Sequence, residues 1–122
     1  MDRRVVGIQG DNGGEILLRI LSVMAIGGLP APFPPDIPEE VVQQCLRRLD
    51  ARLHWRQGES WQFLGGEQRH LGDFDLVLHS SGSTGEPKPL AIRLEAMRRN
   101  ALDVAELLNL TANDVHLGTF SH

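Results

Sequence analysis

Arg4 to Gly10, RVVGIQG, is a short β-branched run ended by glycine, and this pattern predicts a strand. DNGGE follows, offering Asp11 or Asn12 as a helix cap before an almost continuously apolar segment from Ile16 to Ile26, which predicts a buried helix. GGLPAPFPPDIP then places Pro30, Pro32, Pro34, Pro35 and Pro38 behind Gly27 and Gly28. Such a run cannot continue a helix and predicts extended chain crossing the surface as a connector. From Glu39, the residues Val41, Val42, Cys45, Leu46, Leu49 and Leu53 recur at helical spacing, with Gln43, Gln44, Arg47, Arg48 and Asp50 on the other face. An amphipathic helix therefore starts behind Asp36 and Pro38. LHWRQGESWQFL alternates around Gln57, Gly58 and Glu59 and predicts a small hairpin.

Phe74 to His79, FDLVLH, reads as a buried strand feeding a polar loop, and Leu90 to Leu94, LAIRL, as a strand leaving it. Glu95 to Leu110 carries Met97, Ala101, Leu102, Ala105 and Leu108 at helical spacing, a second long amphipathic helix, and VHLGTF after the TAND turn reads as one more strand. Strands alternating with helices predict an α/β fold with a layered, largely parallel sheet and flanking helices. There are no internal repeats.

Length changes this picture little: 122 residues with 41% hydrophobic content are enough for one domain with an ordinary core. Twelve basic residues against sixteen acidic ones give a net charge of −4 with no long block of either sign, which disfavours a nucleic-acid partner. The single cysteine, Cys45, falls among apolar helical positions, where a small buried hydrophobe is the usual role, and this suits a reducing cytoplasm. No secretory signal is visible, and the most apolar run, ILLRILSVMAI, is interrupted by Arg19 and falls short of the roughly 20 residues a spanning helix needs. A soluble, cytoplasmic protein is the expectation.

The polar loop, HSSGSTGEPKPL from His79 to Leu90, is the candidate for chemistry. Backbone N–H groups in a tight glycine-containing turn point inward together and bind anions, and small hydroxyl residues add donors without bulk. Gly82 and Gly85 supply backbone freedom, Ser80, Ser81, Ser83 and Thr84 supply hydroxyls, and Lys88 adds a mobile positive charge suited to phosphate oxygens. The P-loop form G-x-x-x-x-G-K-[ST] fails, since Pro87 stands five residues after Gly82, and the dinucleotide form G-x-G-x-x-G fails as well. Composition alone leaves a flexible surface loop as an equal alternative.

The order of residues tips that balance. SSGSTGEPK closely resembles the Ser/Thr-Ser-Gly-Ser/Thr-Thr-Gly-x-Pro-Lys signature of the adenylate-forming (AMP-binding) superfamily, which includes acyl-CoA synthetases, luciferases and nonribosomal peptide adenylation domains. VVGIQGDNGGEILLRILSVMAIGGLPAPFP is similar to the family's early strand, turn and buried helix, with Ala25, Gly27 and Pro32 in its following passage. LNLTANDVHLGTFSH resembles the segment leading into the next core motif, with His122 at a position beside the substrate pocket. The resemblance runs from about Val5 to His122 and implies that residues 1–122 are part of the large N-terminal domain of an adenylate-forming enzyme.

Such an enzyme joins a carboxylate to the α-phosphate of ATP with magnesium assistance, releasing pyrophosphate, and then passes the acyl group to a thiol of CoA or a carrier protein. Carried onto this chain, the resemblance implies that Ser80, Ser81, Gly82, Ser83, Thr84 and Gly85 line the triphosphate and that Lys88 positions the loop or its charge. It implies no confident catalytic residue here, with His122 the one candidate for the pocket. The family's adenine contacts, magnesium-binding glutamate, hinge and C-terminal domain with its lysine all lie beyond the position matching His122, so this segment is expected to leave strand edges and apolar faces uncovered and to be inactive alone. The missing remainder of the enzyme is then a partner. A stand-alone, non-catalytic module for nucleotide binding or protein interaction, and a degenerate remnant, are the alternatives. The wording of SSGSTGEPK and TFSH leans towards acyl or aryl acids over amino acids.

Other polar residues have plainer explanations. His54, His70, His79, His116 and His122 lack helical i, i+4 pairing and accompanying cysteines, which disfavours a metal site. His79, just before the loop, is expected to be a hydrogen-bonded structural histidine. Trp55 and Trp61 are expected to pack across a short hairpin, and Asp73 and Asp75 to face solvent at a strand start.

Overall fold

Val5–Gln9 (β1) is buried at every position and forms the centre of the sheet, as its β-branched run requires. The computed structural model describes residues 3–11, 13–67, 72–81 and 85–115. β1 pairs in parallel on one side with Leu29–Phe33 (β2) and on the other with Leu53–Arg56 (β3), and Gln62–Phe63 (β4) adds an antiparallel edge to β3. The order is β2-β1-β3-β4. Two helices sort the faces of β1. Glu39–Arg48 (α2) brings Val42, Cys45 and Leu46 to the layer containing Val5, Leu29, Ala31 and Phe33, whereas Gly14–Ala25 (α1) brings Ile16 and Val23 to Val6, Ile8 and Trp55. Period-two alternation along β1 is what separates the two clusters. The α/β class with a largely parallel sheet and flanking helices holds, and Cys45 is buried as expected.

Several boundaries depart from the sequence pattern. The segment expected to be a surface connector contains β2, whose Leu29, Pro30, Ala31 and Phe33 are buried. Its prolines obey strand geometry. Leu29 N–H donates to the Arg4 carbonyl at 3.0 Å, so the alternate nitrogens of Pro30 and Pro32 face away from β1, where no ladder donor is required. Proline content signalled an edge strand, and the connector was the wrong inference from it.

α1 is amphipathic rather than buried: Leu17, Leu18 and Leu21 are each more than half exposed, and only Ile16 and Val23 are buried. Its N-cap is Gly13, with no side-chain cap; the Asp11 carboxylate instead accepts from the Gly13 N–H at 3.0 Å, and Asn12 lies outside the described residues. α2 ends at Arg48, and Asp50 turns the chain in a left-handed conformation (φ 54°), which puts Leu53 in β3 instead of on the helix.

The β3–β4 hairpin forms as expected around Gly58 (φ 81°), with Trp55 and Trp61 ring centroids 6.3 Å apart. The Arg19 guanidinium lies 4.6 Å from the Trp55 ring centroid and 5.8 Å from that of Trp61, clamping α1 onto this hairpin.

Leu76–Ser80 (β5) and Lys88–Ile92 (β6) form a separate antiparallel pair, and Leu94–Leu107 (α3) follows. α3 forms where the amphipathic helix was expected but ends three residues short of Leu110, and none of its residues is buried. Exposed Leu94, Met97, Leu102 and Leu107 make it an apolar surface, in keeping with the uncovered faces expected. Of the strand expected at VHLGTF, only Val115 lies inside the described residues, and it is exposed outside any strand. No helix among the described residues is long and apolar enough to cross a membrane.

Candidate functional site

β5 delivers the polar loop and β6 receives it, with register partners running from Leu76 and Ile92 to Ser80 and Lys88. The loop is therefore the tip of a hairpin, and Lys88 is the first strand residue after it. The Lys88 backbone N–H donates to Ser80 Oγ at 3.3 Å. A hydroxyl that accepts one bond still has its own proton to donate, so Ser80 can offer a donor towards the tip. Ser81 is exposed. Gly85 holds φ at 85°, the left-handed region in which a side chain would be strained, which explains why a glycine stands there. Gly82, Ser83 and Thr84 lie outside the described residues, as do His70, His116 and His122.

Charge near the hairpin is unevenly compensated. Glu86 pairs with Arg48 of α2 at 3.2 Å, tethering the exit of the loop to the main body. Lys88 is exposed and makes no ion pair with a described residue, so its charge is free to meet an anion. Among the described residues no three His, Cys, Asp or Glu side chains gather in a way that could hold a metal ion.

His79 overturns one expectation. Neither of its ring nitrogens has a hydrogen-bond partner, although both are buried. Its ring instead stacks on Phe33, with centroids 4.5 Å apart and planes inclined by 29°. Burial pushes its pKa below the ordinary histidine value. His54 is buried too, with Gln43 Nε2 3.3 Å from its Nδ1, and burial likewise pushes its pKa down.

Asp75 also departs from expectation. It does not simply face solvent: Oδ2 accepts from the Leu94 N–H at 2.8 Å, at the start of α3, and Oδ1 pairs with Arg3 at 3.1 Å. The backbone bond from Leu94, helped by Arg3, holds its carboxyl below the usual aspartate range. Asp73 is exposed as expected. Sequence reasoning missed Phe33, Arg48 and the role of Asp75. Alternate prolines carried a signal for the first, since an edge strand at LPAPF puts Phe33 at a strand end; the partners of Glu86 and Asp75 are distant in sequence and left no local trace.

Comparison with known proteins gives a consistent group. Bacitracin synthase 2 of Bacillus licheniformis is 28% identical over 109 residues, covering 72% of this chain and 4% of that protein. Bacitracin synthase 1 of the same organism is 26% identical over 124 residues, covering 95% of this chain and 2% of its own length. Among solved structures, o-succinylbenzoate CoA synthetase from Bacillus subtilis in complex with the acyl-adenylate intermediate OSB-AMP aligns with a TM-score of 0.74 at 13% identity, over 93% of this chain and 36% of that one. The N-terminal subdomain of Klebsiella oxytoca NpsA in complex with 3-hydroxyanthranilyl-AMSN aligns with a TM-score of 0.60 at 25% identity, over 84% of this chain and 30% of that one. No family model matches the chain. This chain thus spans a small part of each relative's length.

Proposed function

From its similarity to adenylate-forming enzymes over part of their length, we propose that this chain belongs to the adenylate-forming superfamily and that its hairpin tip SSGSTGEPK binds the phosphates of ATP. Residues 1–122 are on this reading a partial adenylation domain. Within a full-length ligase they serve the activation of a carboxylic acid as its acyl-adenylate, before transfer to the thiol of CoA or of a carrier protein. Supporting this most directly is the position of the nine-residue signature, between strands whose last and first residues, Ser80 and Lys88, are register partners.

Each residue has a defined share. Ser80 and Ser81, with Ser83 and Thr84, offer hydroxyl donors; Gly82 and Gly85 let the backbone N–H groups converge on an anion; Lys88 supplies a charge that meets phosphate oxygens. Donors fixed in advance stabilise the negative charge that grows on departing pyrophosphate. Magnesium, when bound, supplies charge neutralisation of the phosphates, and its ligands come from outside the described residues. The 122 residues by themselves bind nucleotide without completing adenylation, because positioning of the carboxylate requires further segments.

Calorimetric titration with ATP tests the reading. Lys88→Ala, which removes one charge-assisted contact, should weaken binding by about 10- to 100-fold. Equal affinity in wild type and variant would refute the role of the loop, and carboxylate-dependent ATP–pyrophosphate exchange by the purified chain would refute its dependence on further segments. The uncovered α3 favours a second reading, an interaction module, under which the chain binds no ATP at all.

A further inference from the structure

Two sheets meet at β2 and β5 without sharing a ladder. β5 lies alongside β2, yet the strands belong to different sheets. Pro30 and Pro32 explain why: the nitrogens on the outer edge of β2 carry no hydrogen, so β5 finds no backbone donors there. Ladder bonds fix register along a strand, and their absence leaves the position of the loop-bearing hairpin to side chains. Val77 anchors the start of β5 in the main core. At the end nearer the loop the contact is the stack of His79 on Phe33, one residue before Ser80.

We propose that His79 is a positioning residue for the nucleotide loop, its ring face on Phe33 replacing the missing ladder as the element that fixes where the β5–β6 hairpin stands against the parallel sheet. The orphaned nitrogens fit this role, because a ring held for its face needs no hydrogen-bond partners. Phe33 is a stable platform: it is buried, it ends β2, and its carbonyl accepts the Gly10 N–H at 3.2 Å, which joins it to the end of β1. An imidazole on this platform therefore sets the loop relative to the carboxyl ends of β1 and β2, the edge at which parallel α/β sheets bind ligands.

The assignment to ATP rests on the proposed function, whereas the docking role does not, and amide hydrogen exchange separates the two. In the ligand-free protein, His79→Ala should speed exchange of β5 and β6 amides by about two- to tenfold, the worth of one aromatic pair, and leave β1 unchanged. His79→Phe should restore the wild-type rate, since it keeps the ring and discards only the unused nitrogens. Phe33→Leu should reproduce the effect from the other strand, and the double variant Phe33→Leu/His79→Ala should exchange no faster than the faster-exchanging of the two single variants. Unchanged exchange in His79→Ala, or failure of His79→Phe to restore it, overturns the proposal. Repeating the series with ATP tests the other part: wild type should gain protection around Ser80 and Lys88, and His79→Ala should need more ATP for the same protection. Absence of ATP protection in wild type would overturn the nucleotide reading and leave the docking result standing.

Discussion

Replacing Asp75 should unfasten three segments at once. Its two oxygens are divided between the start of α3, through the Leu94 N–H, and Arg3, whose guanidinium also donates to the Phe74 carbonyl. Losing a carboxylate that satisfies a helix-terminal N–H costs about 1 kcal/mol. The Arg3 pair is partly exposed and adds about 0.5 to 1 kcal/mol. Asp75→Ala should therefore lose about 1.5 to 2 kcal/mol at neutral pH, a fall of about 1 M in urea midpoint at the slope usual for small domains.

The pH dependence identifies the cause. Because the folded pKa of Asp75 lies below its ordinary 3.8, the stability it contributes is complete above that value and is lost as pH falls through the folded pKa. The gap between wild type and Asp75→Ala in urea midpoint should hold from neutral pH down to about 4 and close below it. A gap that persists at pH 2.5, or no gap at pH 7, would refute an ionic latch at this site.

Three further outcomes follow from other contacts. A Cβ at Gly66 would lie 2.1 Å from the Asp50 carbonyl oxygen and 2.2 Å from that of Ala51; both are backbone, so Gly66→Ala should cost at least about 3 kcal/mol in urea unfolding, and a neutral result would show that this turn can shift. Arg19→Ala should lose about 0.5 to 1 kcal/mol and alter the emission of Trp55 and Trp61, the chain's two tryptophans, whereas unchanged emission would count against the clamp. His79 and His54 both have folded pKa values below the ordinary 6.5, so the stability they contribute is complete above 6.5 and is lost as pH falls through the folded values; His79→Phe should reduce that loss and leave the share of His54, and an identical pH profile would mean that folding does not shift the pKa of His79.

Local pattern was a good guide wherever local chemistry decides the outcome. The β-branched run at β1, the helical spacing of Val42, Cys45 and Leu46, and the Gly58 turn all specify their element within a few residues. Errors arose where a distant partner decides. LPAPF reads as a connector until β1 supplies a ladder for Leu29, Ala31 and Phe33, and Leu53 continues a helical period until Asp50 breaks the chain direction. The nine-residue signature marked the candidate site, but the groups fixing it, Phe33, Arg48 and Arg3, lie 38 to 72 positions away from their partners, and sequence spacing says nothing about them. The lean towards acyl or aryl acids gains nothing from the curated relatives named above, which are bacitracin synthases.

The prolines of β2 connect the fold to the candidate site. A strand with donors on both edges would merge β5 into the main sheet, and cooperative ladder bonds would then hold the loop in one place. Removing the donors at Pro30 and Pro32 keeps β2 as the last strand of its sheet and leaves the β5–β6 hairpin attached by side chains, among them Val77, the Phe33–His79 stack, the Arg48–Glu86 pair and the Arg3–Asp75 pair. Side-chain contacts of this kind are individually worth about 1 kcal/mol or less, so they can be exchanged one at a time without melting the parallel sheet. Under the proposed phosphate-binding role, such an attachment lets small differences in ligand contact shift the position of the hairpin more readily than a continuous ladder would.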